Sequence, residues 1–238
     1  MICWLTGFVC GRFVGNFSVA DVVDELLNVG VPSVSVEEGL PAEVSNFNTP
    51  PTAKWPIAIM IEGTVHLRLA IWGLVPPWSK DAGVGSKMIN ARSETVTEKP
   101  SFRNLVPKHR AIIPMNGFYE WDRSDAKHKR PFYVSRKDGR MMWVAGLWNV
   151  SPILGGATTF TMITRDSLDD LAFVHDRSPV QLEIEDGVEW MSADAPPLEL
   201  LSLSEQPRLA PFEVDPRVNS VRNNDADLIC PVEPDTLF

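Results

Sequence analysis

Apolar residues recur along this chain with two periods. Between Ser18 and Asn28, Val22, Val23, Leu26 and Leu27 return at the spacing of one helical face. Ser18 stands where an N-cap belongs and Gly30 follows the last apolar turn, so a helix is predicted over Ser18–Asn28. Beyond it the period drops to two. Ile57–Ile61 and Thr64–Trp72, separated by Glu62-Gly63, read as a β-hairpin whose second arm alternates through Val65, Leu67 and Leu69. Further strands are predicted at Arg110–Pro114, Gly117–Asp122, Pro131–Ser135, Met141–Trp148 and Thr158–Thr164. Asp138-Gly139 reads as a hairpin turn between two of them. Short helices are predicted over Ser101–Leu105, Leu168–Phe173 and Glu185–Met191. Pro32–Thr52, with four prolines at 32, 41, 50 and 51, reads as loop. Trp72–Trp78 reads as a rigid aromatic loop, and Asp194–Pro211 as a surface excursion rather than a domain boundary. Strands dominate, which predicts an α+β fold: a single domain around a curved, mostly antiparallel β-sheet or barrel with peripheral helices.

Composition bounds this picture without changing it. The 238 residues are 44% hydrophobic and 22% charged, as in an ordinary soluble domain with a substantial core. No internal repeat is visible, and no apolar run approaches the ~18 residues of a membrane span. Cys3, Cys10 and Cys230 are an odd number without short-range pairing, which points to a reducing cytoplasm. The net charge of -9 speaks against nucleic acid until its distribution is considered. From Lys80 to Arg140 the chain carries 14 Lys/Arg against 7 Asp/Glu, a local +7, while the remainder carries -16. That asymmetry suits one basic face on an acidic body. Lys127-His128-Lys129-Arg130 alone reads as a solvated hairpin tip.

The first nine residues, Met1–Val9, are apolar but lack a basic n-region and a small-residue cleavage site, so they are not a signal peptide. Val9 precedes Cys10. In bacteria a GTG codon reads as valine inside a gene and as methionine at its start. Translation from position 9 would give Met-Cys-Gly-Arg-Phe, and loss of that methionine would leave Cys10 with a free α-amine. Residues 1–9 are therefore expected to be a mis-assigned start or a removed leader, and residues 10–238 the domain. An amine and a thiol on adjacent carbons capture an aldehyde as a five-membered ring.

Four polar clusters lie in apolar or turn-rich surroundings: Cys10-Gly11-Arg12, Asn90 to Glu94, Phe118 to Trp121, and His175 to Pro179. Each has an ordinary structural explanation when taken singly. Arg92 and Arg177 fit salt bridges, His175 a helix end, and Glu120 the solvent face of a strand. A carboxylate among three aromatics is nevertheless easily desolvated, which raises its pKa.

Taken together and in order, these segments resemble the SOS response-associated peptidase (SRAP) family of abasic-site-processing proteins. The matching segments are Cys10-Gly11-Arg12-Phe13, Phe47-Asn48 with Pro51, Trp72-Gly73 through Pro77-Trp78, Ile89 to Thr95, Gly117 to Trp121, and His175 to Pro179. A late segment, Val221 to Asn224 with Leu228-Ile229 and Pro231-Val232, is similar to the family's closing strand. The sequence departs from the family in the nine residues before Cys10 and in Thr52, where a glycine is common.

The resemblance implies an abasic-site sensor that cross-links covalently to single-stranded DNA through a thiazolidine formed by N-terminal Cys10. It implies Glu120 as general acid or base, Asn90 holding the N-terminal residue, and His175 polarising the sugar's oxygens. Arg12, Asn48, Arg92 and Arg177 are implied at the DNA backbone, and Trp72, Pro77 and Trp78 as a stacking wedge; Trp78 fits a core position equally well. The implied partner is single-stranded DNA or a single-to-double-strand junction, met as a monomer, with no membrane, metal or cofactor. Two rival readings remain: a cysteine peptidase, with Cys10, Glu120 and His175, that removes its own leader, and a non-covalent reader of damaged DNA.

Overall fold

The computed structural model describes residues 10–122, 124 and 129–232. The expectations for residues 1–9, Lys127 and His128 lie outside the described residues. Strand β1 (Arg12–Ser18) runs directly into helix α1 (Val19–Asn28). The Ser18 hydroxyl accepts from the Asp21 N–H at 3.0 Å, the predicted cap, and Val22 and Leu26 lie on the buried face. Strands β2 (Val34–Val36), β3 (Glu43–Thr49), β4 (Lys54–Ile61) and β5 (Thr64–Trp72) follow. Next come β6 (Asn90–Arg92), β7 (Arg110–Met115), β8 (Gly117–Asp122) and β9 (Arg130–Arg136). The chain continues through β10 (Met142–Ser151), β11 (Ala157–Asp166), β12 (Arg177–Pro179) and β13 (Gln181–Leu182) to α2 (Ile184–Ser192) and β14 (Leu209–Glu213).

The strands form two sheets. One is antiparallel in the order β14-β9-β8-β1-β3. The other runs β12-β11-β10-β7-β4-β5-β2, and β5 pairs back onto β11. Five strands, β11-β10-β7-β4-β5, thereby close into a barrel with no edge left to template aggregation. The α+β domain predicted from the strand pattern is the fold observed. Apolar faces of the two sheets meet in one core. Phe13 of the first sheet inserts its ring between Trp55 and Trp72 of the barrel, with centroids 4.6 and 4.8 Å away. The Glu62-Gly63 turn has positive φ at both residues, 49° and 80°, as a tight hairpin with right-handed strand twist requires.

Several local expectations are corrected. Pro32–Thr52 is not loop: its prolines flank β2 and β3 instead of interrupting them, and β3 pairs along β1. Asp138-Gly139 closes no hairpin, because β9 belongs to the first sheet and β10 to the barrel. The turn is the corner where the chain changes sheet, and buried Arg136 holds it through Asp138 (2.9 Å) and Glu183 (3.0 Å). Ser101–Leu105 and Leu168–Phe173 form hydrogen-bonded turns, such as Arg103 N–H to Lys99 O at 2.9 Å and Leu171 N–H to Leu168 O at 3.0 Å. They are too short to offset the cost of a regular helical nucleus. The late segment is no closing strand; it makes turns, a 3-10 turn at Ala226–Ile229 and one bridge from Val214 to Pro231. Within Asp194–Pro211, Leu200 and Leu201 are buried and β14 begins. Among the described residues no helix is long and apolar enough to cross a membrane.

Candidate active site

Strand β8 lies antiparallel to β1 with Tyr119 opposite Arg12 and Phe118 opposite Phe13. That register brings the residues just before β1 level with Glu120. The backbone N–H of Cys10 donates to the Glu120 carboxylate. Alternation along β8 puts Glu120 on the face of Phe118, towards the main core that contains Cys10. Tyr119 faces the other way, into a second cluster with Val14, Tyr133, Val214, Val218 and Leu228. Glu120 is 2% exposed, so the solvent-facing alternative for it is excluded. The Cys10 Sγ lies 3.9 Å from the Arg12 carbonyl. Burial, reinforced by the charge of Glu120, pushes the Cys10 thiol well above its ordinary value, so the sulfur keeps its proton at neutral pH. Cys10 has φ 44°, in the left-handed region that costs an L-residue about 1–2 kcal/mol.

Arg12 and Asn48 form one unit. Arg12 Nη1 donates to Asn48 Oδ1 and to the Val218 carbonyl, both at 2.8 Å. Asn48 Nδ2 reaches the carbonyls of Val218 (3.1 Å), Ser220 (3.0 Å) and Asn223 (2.9 Å). The two side chains expected at DNA direct these bonds at the chain's own late segment. They fasten 218–223 against β1 and β3.

Trp72 is corrected outright. Its ring is fully buried against Phe13, and its Nε1–H donates to the Ile89 carbonyl at 3.0 Å. It cannot serve as a stacking surface. It acts as a spacer between the strand that follows Cys10 and β6, where Asn90 is half-buried and Arg92 exposed. Strand β6 in turn pairs with β11, Asn90 opposite Met162.

His175 is buried and its ring is oriented by its neighbour. The Arg177 N–H donates to Nδ1 at 3.0 Å, which leaves the proton of the neutral ring on Nε2. Nδ1 also lies 3.1 Å from the exposed Asp176 carboxylate, which is the partner for the protonated ring only. The Arg177 guanidinium is itself engaged: with Glu94 through bonds of 2.7 and 2.9 Å, with Asp166 at 2.6 Å, and with the Thr164 carbonyl at 2.8 Å. Glu94 and Asp166 were not legible as site residues. The only sequence signal was Glu94, two residues after Arg92 in the Asn90 cluster.

Pro77 and Trp78 are exposed, and Trp78 at 66% is the most exposed large apolar side chain among the described residues. Its core alternative is thereby excluded. Phe173, two residues before His175, is 64% exposed and packs edge-on against Phe132 at 5.9 Å. It falls in a segment read from sequence as a helix. Cys10 with Glu120, Arg12 with Asn48, and His175 with Arg177 are thus in direct contact, whereas Trp78 stands on a separate loop.

Beside the closed barrel, a buried cysteine just ahead of β1 meets a buried carboxylate of β8. The chain belongs to the SOS response associated peptidase (SRAP) family, whose model matches residues 9–221. Abasic site processing protein YoqW of Bacillus subtilis (strain 168) is 34% identical over 230 residues, covering 93% of this chain and 99% of its own length. Abasic site processing protein HMCES of Gallus gallus is 30% identical over 190 residues, covering 68% of this chain and 56% of its own. A crystal structure of a protein from Bacteroides thetaiotaomicron shares the fold, with a TM-score of 0.76 at 23% identity over 94% of this chain and all of the other.

Proposed function

We propose that this protein recognises abasic sites in single-stranded DNA, or at single-to-double-strand junctions, and links to them covalently through Cys10 when Cys10 is the N-terminal residue. One observation carries the reading: the nitrogen of Cys10 is held at the buried carboxylate of Glu120, in a chain whose relatives are named abasic site processing proteins. An abasic sugar opens to an aldehyde at C1′. The free α-amine of Cys10, with an ordinary pKa of ~7.7–8.0, attacks that carbon, and loss of water gives an imine. The thiol then adds across the C=N bond: sulfur bonds to C1′ and its proton passes to nitrogen, closing a thiazolidine. Because burial holds that proton on the sulfur, it must leave as sulfur attacks, and the imine nitrogen takes it up. Glu120 accepts and returns protons through these steps. Asn90 steadies the N-terminal residue, and His175, with its proton on Nε2, donates towards the sugar's oxygens. The product shields the lesion within the cytoplasm during the response to DNA damage.

The charge distribution supports contact with a nucleic-acid backbone. Arg92, Lys99, Arg103 and Lys108 are exposed and form no ion pair among the described residues. They follow one another along the chain from β6 into the turns after it. Trp78 and Pro77 offer a stacking surface for a neighbouring base. Phosphate binding at Arg177 must compete with Glu94 and Asp166. The test is a denaturing gel: protein beginning at Cys10 yields a shifted band with abasic single-stranded DNA, protein retaining residues 1–9 does not, and no shift from either sinks the covalent reading.

A second reading has its own support in the left-handed backbone at Cys10. Under it, the chain cuts itself before Cys10 and so exposes the amine. An intact mass beginning at Cys10, lost in Cys10→Ala, identifies self-cleavage; a persistent full-length mass excludes it.

A further inference from the structure

Val75 is held by a closed ring of hydrogen bonds. Its N–H donates to Thr159 Oγ1 at 3.1 Å, and its carbonyl accepts from Asn149 Nδ2 at 2.8 Å. The Thr159 hydroxyl completes the ring by donating to Asn149 Oδ1. Asn149 and Thr159 face each other directly across β10 and β11, and both are buried. The pair offers one residue what a neighbouring strand offers a row: an acceptor and a donor for its backbone. Burying an amide and a hydroxyl is costly unless both are matched, and here each bond goes to Val75 or to the other member.

The residues on either side are anchored as well. The Gly73 N–H donates to Phe160 O at 2.8 Å and the Leu74 N–H to Met88 O at 3.0 Å. Gly73, at φ 125°, lies so close to Gly85 that a Cβ would stand 2.5 Å from the Gly85 carbonyl oxygen. From Val75 the chain passes through Pro76 and Pro77, whose rings restrict the backbone, and then presents Trp78 to solvent. A buried polar pair, a single clamped residue and two prolines therefore fix the root of an exposed tryptophan.

We infer that Asn149 and Thr159 are positioning residues for DNA binding: through Val75 they set where Pro77 and Trp78 stand against the strand beside the lesion. The inference rests on the DNA-binding function proposed above. An anchored wedge meets its ordering cost during folding rather than on binding, which favours affinity without a new contact.

The test uses protein beginning at Cys10 and a single-stranded oligonucleotide with tetrahydrofuran in place of the abasic sugar, which lacks an aldehyde and reports non-covalent binding alone. The Trp78 indole N–H signal is assigned with Trp78→Phe. Thr159→Val is expected to shift or broaden that signal in the free protein and to weaken binding roughly three- to tenfold. The same substitution is expected to change nothing further in a Trp78→Ala background. Thr159→Ser keeps the hydroxyl and is expected to bind like the wild type, which separates the ring from general packing. Asn149→Asp, which retains the Oδ1 acceptor and removes the donor to Val75, puts the same question should Thr159→Val not fold. An unmoved indole signal, or losses from Thr159→Val and Trp78→Ala that simply add, overturns the positioning role. Wild-type protein without affinity for this oligonucleotide overturns the DNA-binding reading itself and the loop's role with it. Wild-type affinity that survives Thr159→Val overturns the positioning role alone.

Discussion

The backbone N–H of Cys10 donates to the carboxylate of Glu120, which the β1–β8 register buries beneath it. Glu120→Gln keeps the size of the side chain and an acceptor oxygen while removing the proton-accepting charge. Cross-linking to abasic single-stranded DNA is expected to slow by about a hundredfold or more, with thermal stability little changed. Time courses on denaturing gels and a melting curve check both parts. An undiminished rate would remove Glu120 from the proton path.

Burial and the neighbouring Glu120 keep the Cys10 thiol protonated, whereas Cys230 is exposed. In the folded chain beginning at Met1, iodoacetamide near neutral pH is expected to modify Cys230 well before Cys10, with Cys10 reacting once the chain is denatured. Peptide mass spectrometry reads the order. Equal labelling of the two in folded protein contradicts the raised thiol.

Burial alone would raise the Glu94 carboxyl, but its hydrogen bonds and ion pair with Arg177 outweigh that and hold it below the ordinary carboxylate range. Its folded value lies below its unfolded one. The stabilisation is therefore complete above the unfolded pKa of ~4.3 and is lost as pH falls through the folded value. Glu94→Gln is expected to cost about 1 kcal/mol near pH 7, a figure limited by the partial exposure of Glu94. The gap to wild type should be smaller in acid, well below ~4.3, than near pH 7. Urea unfolding at the two pH values measures it, and a gap independent of pH refutes the assignment.

Asn48 fastens 218–223 through three carbonyls. Asn48→Ala leaves those acceptors and Arg12 without it and is expected to destabilise by about 2 kcal/mol. Limited proteolysis is expected to cut first between Val218 and Asn224. Cleavage unchanged in site and rate argues against the fastening.

How far the fold could be read ahead varied with how local its causes were. The α1 helix followed from Ser18, its apolar stripe and Gly30, and the Glu62-Gly63 hairpin from its turn, because both depend on residues within a few positions. Strand β3 is not legible in the sequence because the prolines on either side of it give the whole segment the composition of a loop. Asp138-Gly139 carries a hairpin signal without a hairpin, because a turn signal does not say whether the strands on either side share a sheet. The two tryptophans of the Trp72–Trp78 segment exchanged the expected weights. One packs on Phe13 and the other faces solvent, a choice made by β1 and β4, far away in sequence.

The sequence by itself determined the ordered motifs around Cys10, Asn90, Glu120 and His175, the dominance of strands, and the basic stretch after Lys80, because residue types and short spacings carry them. Only the tertiary structure decided that Glu120 is buried against the nitrogen of Cys10, that Arg177 answers to Glu94 and Asp166, and that Asn149 and Thr159 clamp Val75. The physical reason is the same in each case. A hydrogen bond between residues more than ten to a hundred positions apart depends on strand register and on which faces are driven together by burial, and neither is written in the local spacing of the chain.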